Sequence, residues 1–84
     1  MSFRVAVKRS AEEELGRLSS VIQQRIATAL LGLAEQPFPA GVKKLRGSAG
    51  YRIRVGDYRV LYTVDSPKKE ICISAIGHRK EVYR

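Results

Sequence analysis

The 84-residue chain is poor in the residues that build cross-links and metal centres: one cysteine, one histidine, one methionine and no tryptophan. A lone Cys72 cannot form an internal disulfide, and one cysteine with one histidine falls short of a structural zinc site. The fold must therefore stand on its apolar core, and a reducing cytosol is the expected setting. Cys72 lies in a hydrophobic run and is expected to be a small core residue. Long apolar runs are also missing, so no stretch approaches the roughly 20 residues of a membrane-spanning helix. The first residues, Ser2-Phe3-Arg4-Val5-Ala6-Val7-Lys8, alternate polar with apolar and read as a strand rather than a secretory leader.

Acidic residues are scarce as well. Eight Asp and Glu stand against sixteen Lys and Arg, a formal net charge of +8. Hydrophobic residues make up 44% and charged residues 29%, which suits one folded domain over residues 1–84 and excludes a disordered tail. The charge is uneven. Residues 1–42 carry five basic and four acidic side chains, whereas residues 43–84 carry eleven and four, so nearly all of the excess lies in the second half. A one-sided basic surface suits phosphate, an anionic membrane or an acidic protein.

The chain then reads as an ordered set of elements. Phe3, Val5 and Val7 form one face of a short strand. Ser10 with Glu13, and Ser20 with Gln23, have capping-box spacing and predict two helices that break near Ser19. Ile22, Ile26, Ala29, Leu30 and Leu33 fall on one helical face, and Pro37 and Pro39 end the pattern. After a Gly-rich stretch, Tyr51–Val55 and Tyr58–Val64 alternate around Gly56-Asp57, a hairpin signature. A turn at residues 65–69 leads to a last strand over Glu70–Ile76. The expectation is an α+β fold: an N-terminal strand, a helical hairpin and a three-stranded antiparallel meander whose sheet the two helices cover.

The hairpin register carries the first chemical inference. With Gly56 and Asp57 as the loop, Val55 pairs with Tyr58, Arg54 with Arg59, Ile53 with Val60, Arg52 with Leu61 and Tyr51 with Tyr62. Paired residues share a sheet face. Tyr51, Ile53, Val55, Tyr58, Val60 and Tyr62 then form an apolar face for the helices, and Arg52, Arg54 and Arg59 project from the other. Two arginines directly opposite each other cost stability, so their clustering points to a phosphate site. The C-terminal run, Gly77-His78-Arg79-Lys80-Glu81-Val82-Tyr83-Arg84, follows the last strand and is expected to lie at the edge of the basic face.

Three segments together resemble the RelE type of the RelE/ParE toxin superfamily of bacterial type II toxin–antitoxin modules. They are Lys44-Leu45-Arg46-Gly47 leading to Tyr51-Arg52-Ile53-Arg54, then Gly56-Asp57-Tyr58-Arg59-Val60-Leu61-Tyr62, and the C-terminal Gly77–Arg84. The resemblance covers essentially the whole chain. It implies a fold similar to a microbial ribonuclease and cleavage of messenger RNA in the ribosomal A site, inhibiting translation and growth. It implies a metal-free, cofactor-free attack by the RNA's own 2′-hydroxyl in the cytoplasm. It also implies a RelB-like or other antitoxin partner, with operator DNA bound only through the toxin–antitoxin complex and no membrane partner.

By the same resemblance the catalytic positions fall on Arg52, Arg54, Arg59, Arg79 and Tyr83. The family's best-known enzymes have lysines where Arg52 and Arg54 stand. Arginine keeps its proton at physiological pH, so it suits a phosphate clamp better than a general base. His78 is added as a candidate for proton transfer, because histidine is the residue type that exchanges a proton near neutrality. Lys43, Lys44, Arg46, Lys80 and Arg84 are expected to contact RNA or the ribosome. The alternatives are a ParE-like inhibitor of DNA gyrase with the same fold, and a non-catalytic RNA- or DNA-binding module.

Overall fold

The computed structural model describes residues 2–47 and 49–78. A strand β1 (Arg4–Val7) is followed by helices α1 (Arg9–Gly16) and α2 (Ser20–Glu35). Four strands complete the chain: β2 (Lys43–Lys44), β3 (Tyr51–Val55), β4 (Tyr58–Asp65) and β5 (Glu70–His78). The sheet order is β1-β5-β4-β3-β2. The α+β class holds, and the meander is the centre of a five-stranded mixed sheet. β1 runs parallel to β5, pairing Val5 with Ile71 and Val7 with Ile73. β2 adds a two-residue edge, pairing Lys43 with Arg52 and Lys44 with Tyr51.

Both helices start one or two residues from the expected positions. Lys8, not Ser10, is the first boundary residue, and it makes no side-chain cap. Ser19 caps α2 in place of Ser20, its hydroxyl accepting the Ile22 N–H at 3.3 Å. Gln23 instead donates to the Leu18 carbonyl at 2.9 Å, stitching the interhelical turn to α2. The expected helical stripe packs as foreseen, with Ile26, Leu30 and Leu33 buried and Ile22 and Ala29 partly so.

The β3–β4 register is the one the sequence implies, from Val55 opposite Tyr58 to Tyr51 opposite Tyr62. Gly56 adopts φ +60°, the left-handed first position of a two-residue hairpin turn. Ile53, Val55, Val60 and Tyr62 are buried against the helices with Ile71, Ile73 and Ile76 of β5. Tyr62 donates its hydroxyl to the Pro37 carbonyl at 2.7 Å, which ties the end of α2 to the sheet. Burial, helped by the neighbouring Tyr51, pushes the Tyr62 phenol up to about 12.

Strand β5 carries an irregularity that fixes its orientation. Leu61 pairs with Ala75 while Tyr62 pairs with Ile73, so Ser74 is an extra residue, and its hydroxyl donates to the Leu61 carbonyl at 3.2 Å. The bulge lets Ile71, Ile73 and Ile76 all face the core despite the three-residue step between the last two. It also corrects the expectation for Cys72. With Ile71 and Ile73 on the core side, Cys72 pairs with Thr63 and Ala6 on the open side of the sheet and is only partly buried.

Candidate functional site

The open face of the sheet gathers the cations of the second half. Arg54 stands opposite Arg59 in the β3–β4 ladder, and Lys43 stands opposite Arg52 in the β2–β3 ladder. Alternation along β3 puts Arg52 and Arg54 on one face, and pairing brings Lys43 and Arg59 to it. The four cations come from three adjacent strands, and backbone pairing brings them together. Their environments differ. Arg54 is exposed, Arg52 is half-buried and Arg59 is only 7% exposed.

A guanidinium so shielded from water has a stronger field than one at the surface, because screening by solvent is reduced. Gly77 pairs with Arg59 and presents no side chain on that face. The result is a shallow, cation-lined surface that can grip a phosphodiester at more than one oxygen.

Lys44 lies in β2 beside the face, and Arg46 lies in the exposed turn after it. Being adjacent to Lys43, Lys44 alternates to the other side of the strand, level with Tyr51. Arg79, Lys80, Tyr83 and Arg84 lie outside the described residues.

His78 is placed differently from the expectation. It pairs with Tyr58, next to the Arg59–Gly77 pair, and alternation turns both Tyr58 and His78 to the helix side. Their rings meet edge to face with centroids 5.7 Å apart. The histidine and the arginines therefore project from opposite faces of the sheet. The strand continues through His78, and with Ile76 in the core Gly77 faces the open side and His78 the helices.

A cavity of about 290 Å³ opens at this end of the sheet on the helix side. Glu14 and Arg17 of the α1 end, with Leu18, face Tyr58 and His78 across it. Glu14 has a structural task there. β1 pairs with β5 only as far as Ile73, and beyond that point the Ile76 N–H donates to Glu14 Oε1 at 3.0 Å. Neither Glu14 nor Arg17 was singled out from the sequence. The available signal was a carboxylate one turn before Leu18 on an otherwise apolar stripe.

The fold is that of a known group of proteins. The family model described as "ParE toxin of type II toxin-antitoxin system, parDE" matches residues 5–83. The chain belongs to the RelE/ParE superfamily of type II toxins. Among individual proteins, Toxin RelG of Mycobacterium tuberculosis is 29% identical over 86 residues, covering 100% of this chain and 99% of the relative. The archaeal RelE–RelB complex from Pyrococcus horikoshii contains a chain 31% identical, with a TM-score of 0.85 over 98% of this chain and 100% of that one. The isolated RelE toxin of Escherichia coli is 26% identical, with a TM-score of 0.80 over 98% of this chain and 92% of that one. The fold of this superfamily member thus agrees closely with those of both solved relatives.

Proposed function

We propose that this toxin is an endoribonuclease that cleaves messenger RNA, in the ribosomal A site, from the open face of its sheet. The observation that carries the reading is the set of directly paired cations there, Lys43 with Arg52 and Arg54 with Arg59. Like charges placed opposite one another weaken a sheet. A polyphosphate strand lying across them turns that repulsion into attraction.

The reaction is internal to the RNA. The 2′-oxygen attacks the adjacent phosphorus, its proton passes to solvent or a ribosomal group, and the bond to the 5′-oxygen breaks as that oxygen gains a proton. The products are a 2′,3′-cyclic phosphate and a free 5′-hydroxyl. Arg52, Arg54 and Arg59 take the charge that builds on the phosphorane oxygens, the kind of stabilisation that preorganised donors supply most effectively. Arg79 and Tyr83 complete the site, the arginine as a further clamp and the tyrosine as a stacking surface for a base. Lys43, Lys44, Arg46, Lys80 and Arg84 hold the surrounding RNA through its phosphates. His78 has no place in this clamp, because it projects from the other face.

A cognate antitoxin controls this surface. The relatives solved in complex with RelB support that partner, and an acidic segment suits a chain of charge +8. Operator DNA is then reached only through the complex, and the site of action is the cytoplasm, where messenger is translated.

A gyrase-inhibiting reading has one observation in its favour, the match to the ParE model. One assay separates the two. The purified chain is added to a translating extract and messenger ends are mapped, with gyrase supercoiling measured in parallel. Codon-registered ends bearing cyclic phosphates are expected. Intact messenger with blocked supercoiling replaces this reading with the second one.

A further inference from the structure

The helix-side cavity at the end of β5 has no part in the clamp, and its lining is chemically unusual for a protein of this charge. A carboxylate, Glu14, and a guanidinium, Arg17, line it with two aromatic rings, Tyr58 and His78, and an apolar wall at Leu18. The two charges offset each other, so the cavity is not a simple anion site. The rings and Leu18 argue for a flat, unsaturated group. The volume, about 290 Å³, accommodates a nucleobase.

Glu14 narrows the choice of base. Its Oε1 accepts the Ile76 N–H at 3.0 Å, which holds the carboxylate in one orientation. Each carboxylate oxygen has two acceptor positions, so both oxygens remain able to accept from a ligand. Only guanine carries two adjacent donors on its Watson–Crick edge, N1–H and the N2 amine. Adenine and cytosine each pair one amine with an acceptor that a carboxylate repels, and uracil flanks its single N–H with two carbonyls.

The position of the cavity agrees with a strand of RNA as the source of the base. Tyr58 precedes Arg59 and His78 follows Gly77, and Arg59 and Gly77 are themselves paired. Cavity and clamp therefore meet at one end of the sheet on opposite sides of the same two strands. Gly77 itself presents no side chain on the clamp side.

From this arrangement we propose that the Glu14–Tyr58–His78 cavity binds a guanine base of the RNA that the arginine face holds. The ligand class rests on the ribonuclease reading; the guanine selectivity is this cavity's own. The base stacks on one ring of the edge-to-face pair, Glu14 accepts from N1–H and N2–H, and Arg17 takes an adjacent phosphate.

The test is a nuclear magnetic resonance titration of the chain with GMP, IMP and AMP, read on the ring resonances of His78 and Tyr58. The phosphate is common to all three ligands, so a response of the arginine face alone is the same for each. IMP keeps N1–H but lacks the amine, and AMP lacks both donors. GMP is expected to bind about tenfold more tightly than AMP, with IMP between them. In Glu14→Gln, whose amide oxygen still accepts the Ile76 N–H, the GMP preference is expected to vanish while the melting temperature stays near that of the parent.

Equal affinities for GMP and AMP in the parent overturn the proposal, as does a preference that survives in Glu14→Gln. A trinucleotide with a central guanine that binds more tightly than GMP identifies an RNA strand as the source. Parity with GMP replaces the RNA strand with a free nucleotide. None of these readouts needs cleavage, so a failure to cut messenger leaves them standing, and a failure of guanine selectivity leaves the clamp standing.

Discussion

The two faces of the β3–β4 hairpin alternate along the same two strands and follow opposite rules. On the helix side Ile53, Val55, Val60 and Tyr62 remove apolar surface from water and stabilise the fold. On the open side Arg54 stands directly opposite Arg59 with Arg52 on the same face, so like charges are placed side by side. Alternation along a strand lets one sequence satisfy both, since each residue commits its neighbour to the other face. The difference shows where stability and function are separable: substitutions on one face are expected to change folding, and on the other to change activity.

The largest effect is expected on the core side. Ile73 is fully buried between β1 and β4, and Ile73→Ala leaves a cavity there. A loss of about 2–5 kcal/mol is expected, read from the urea midpoint at unchanged slope. A loss below about 1 kcal/mol means that this face is looser than the structure shows.

On the open side, Arg59→Ala is expected to lower messenger cleavage by about 10²–10³-fold, the usual cost of removing one donor to a developing oxyanion. The assay belongs well below the variant's unfolding transition. Cleavage at parental rates removes Arg59 from the clamp.

Tyr62→Phe tests the tie between the layers. The Pro37 carbonyl loses its donor in a buried setting, and a cost of about 1–3 kcal/mol is expected at neutral pH. The cost also depends on pH in a defined direction. The folded phenol titrates near 12 and the unfolded one near 10, so unfolding releases a proton between those values. Parent stability from this group is complete below pH 10 and falls as pH rises towards 12, by about 2–3 kcal/mol in full. The gap between parent and Tyr62→Phe should therefore narrow across that window. A gap constant from pH 8 to 12 would show that the phenol is not held neutral by burial.

How much of this was legible in the sequence follows from which interactions are local. The hairpin register was, because a Gly-X turn fixes it and alternation then sorts every side chain to a face. The helical stripe of α2 was as well, because its period lies within one element. The pairing of β1 with β5 was not: it joins residues more than sixty positions apart in parallel, with no turn between them to signal it. β2 was missed because two lysines carry no strand pattern of their own. His78 was expected at the edge of the basic face because it follows a strand of the same sheet; that strand instead runs through His78 and turns it to the helix side. The placement of Arg52, Arg54 and Arg59 on one face was legible for the same reason as the register, and the Glu14 cavity was not, because it joins α1 to β5.

The smallest expected effect separates the two faces most directly. Arg54 is exposed and stands opposite Arg59, so Arg54→Glu converts a like-charge pair into an opposite-charge pair without touching the core. If the open face is organised for a ligand at the expense of the sheet, the variant should be more stable than the parent by about 0.2–1 kcal/mol. It should also lose messenger cleavage, because a carboxylate now repels the phosphate that Arg54 held. The gain is electrostatic at a solvated site, so it should shrink as salt approaches 1 M, where the screening length is about 3 Å. A variant less stable than the parent at low salt, or a gain indifferent to salt, would mean that the Arg54–Arg59 pair is not a source of strain. Stability rising while activity falls, from one substitution on one strand, is the behaviour that a face kept for phosphate predicts and a merely solvated face does not.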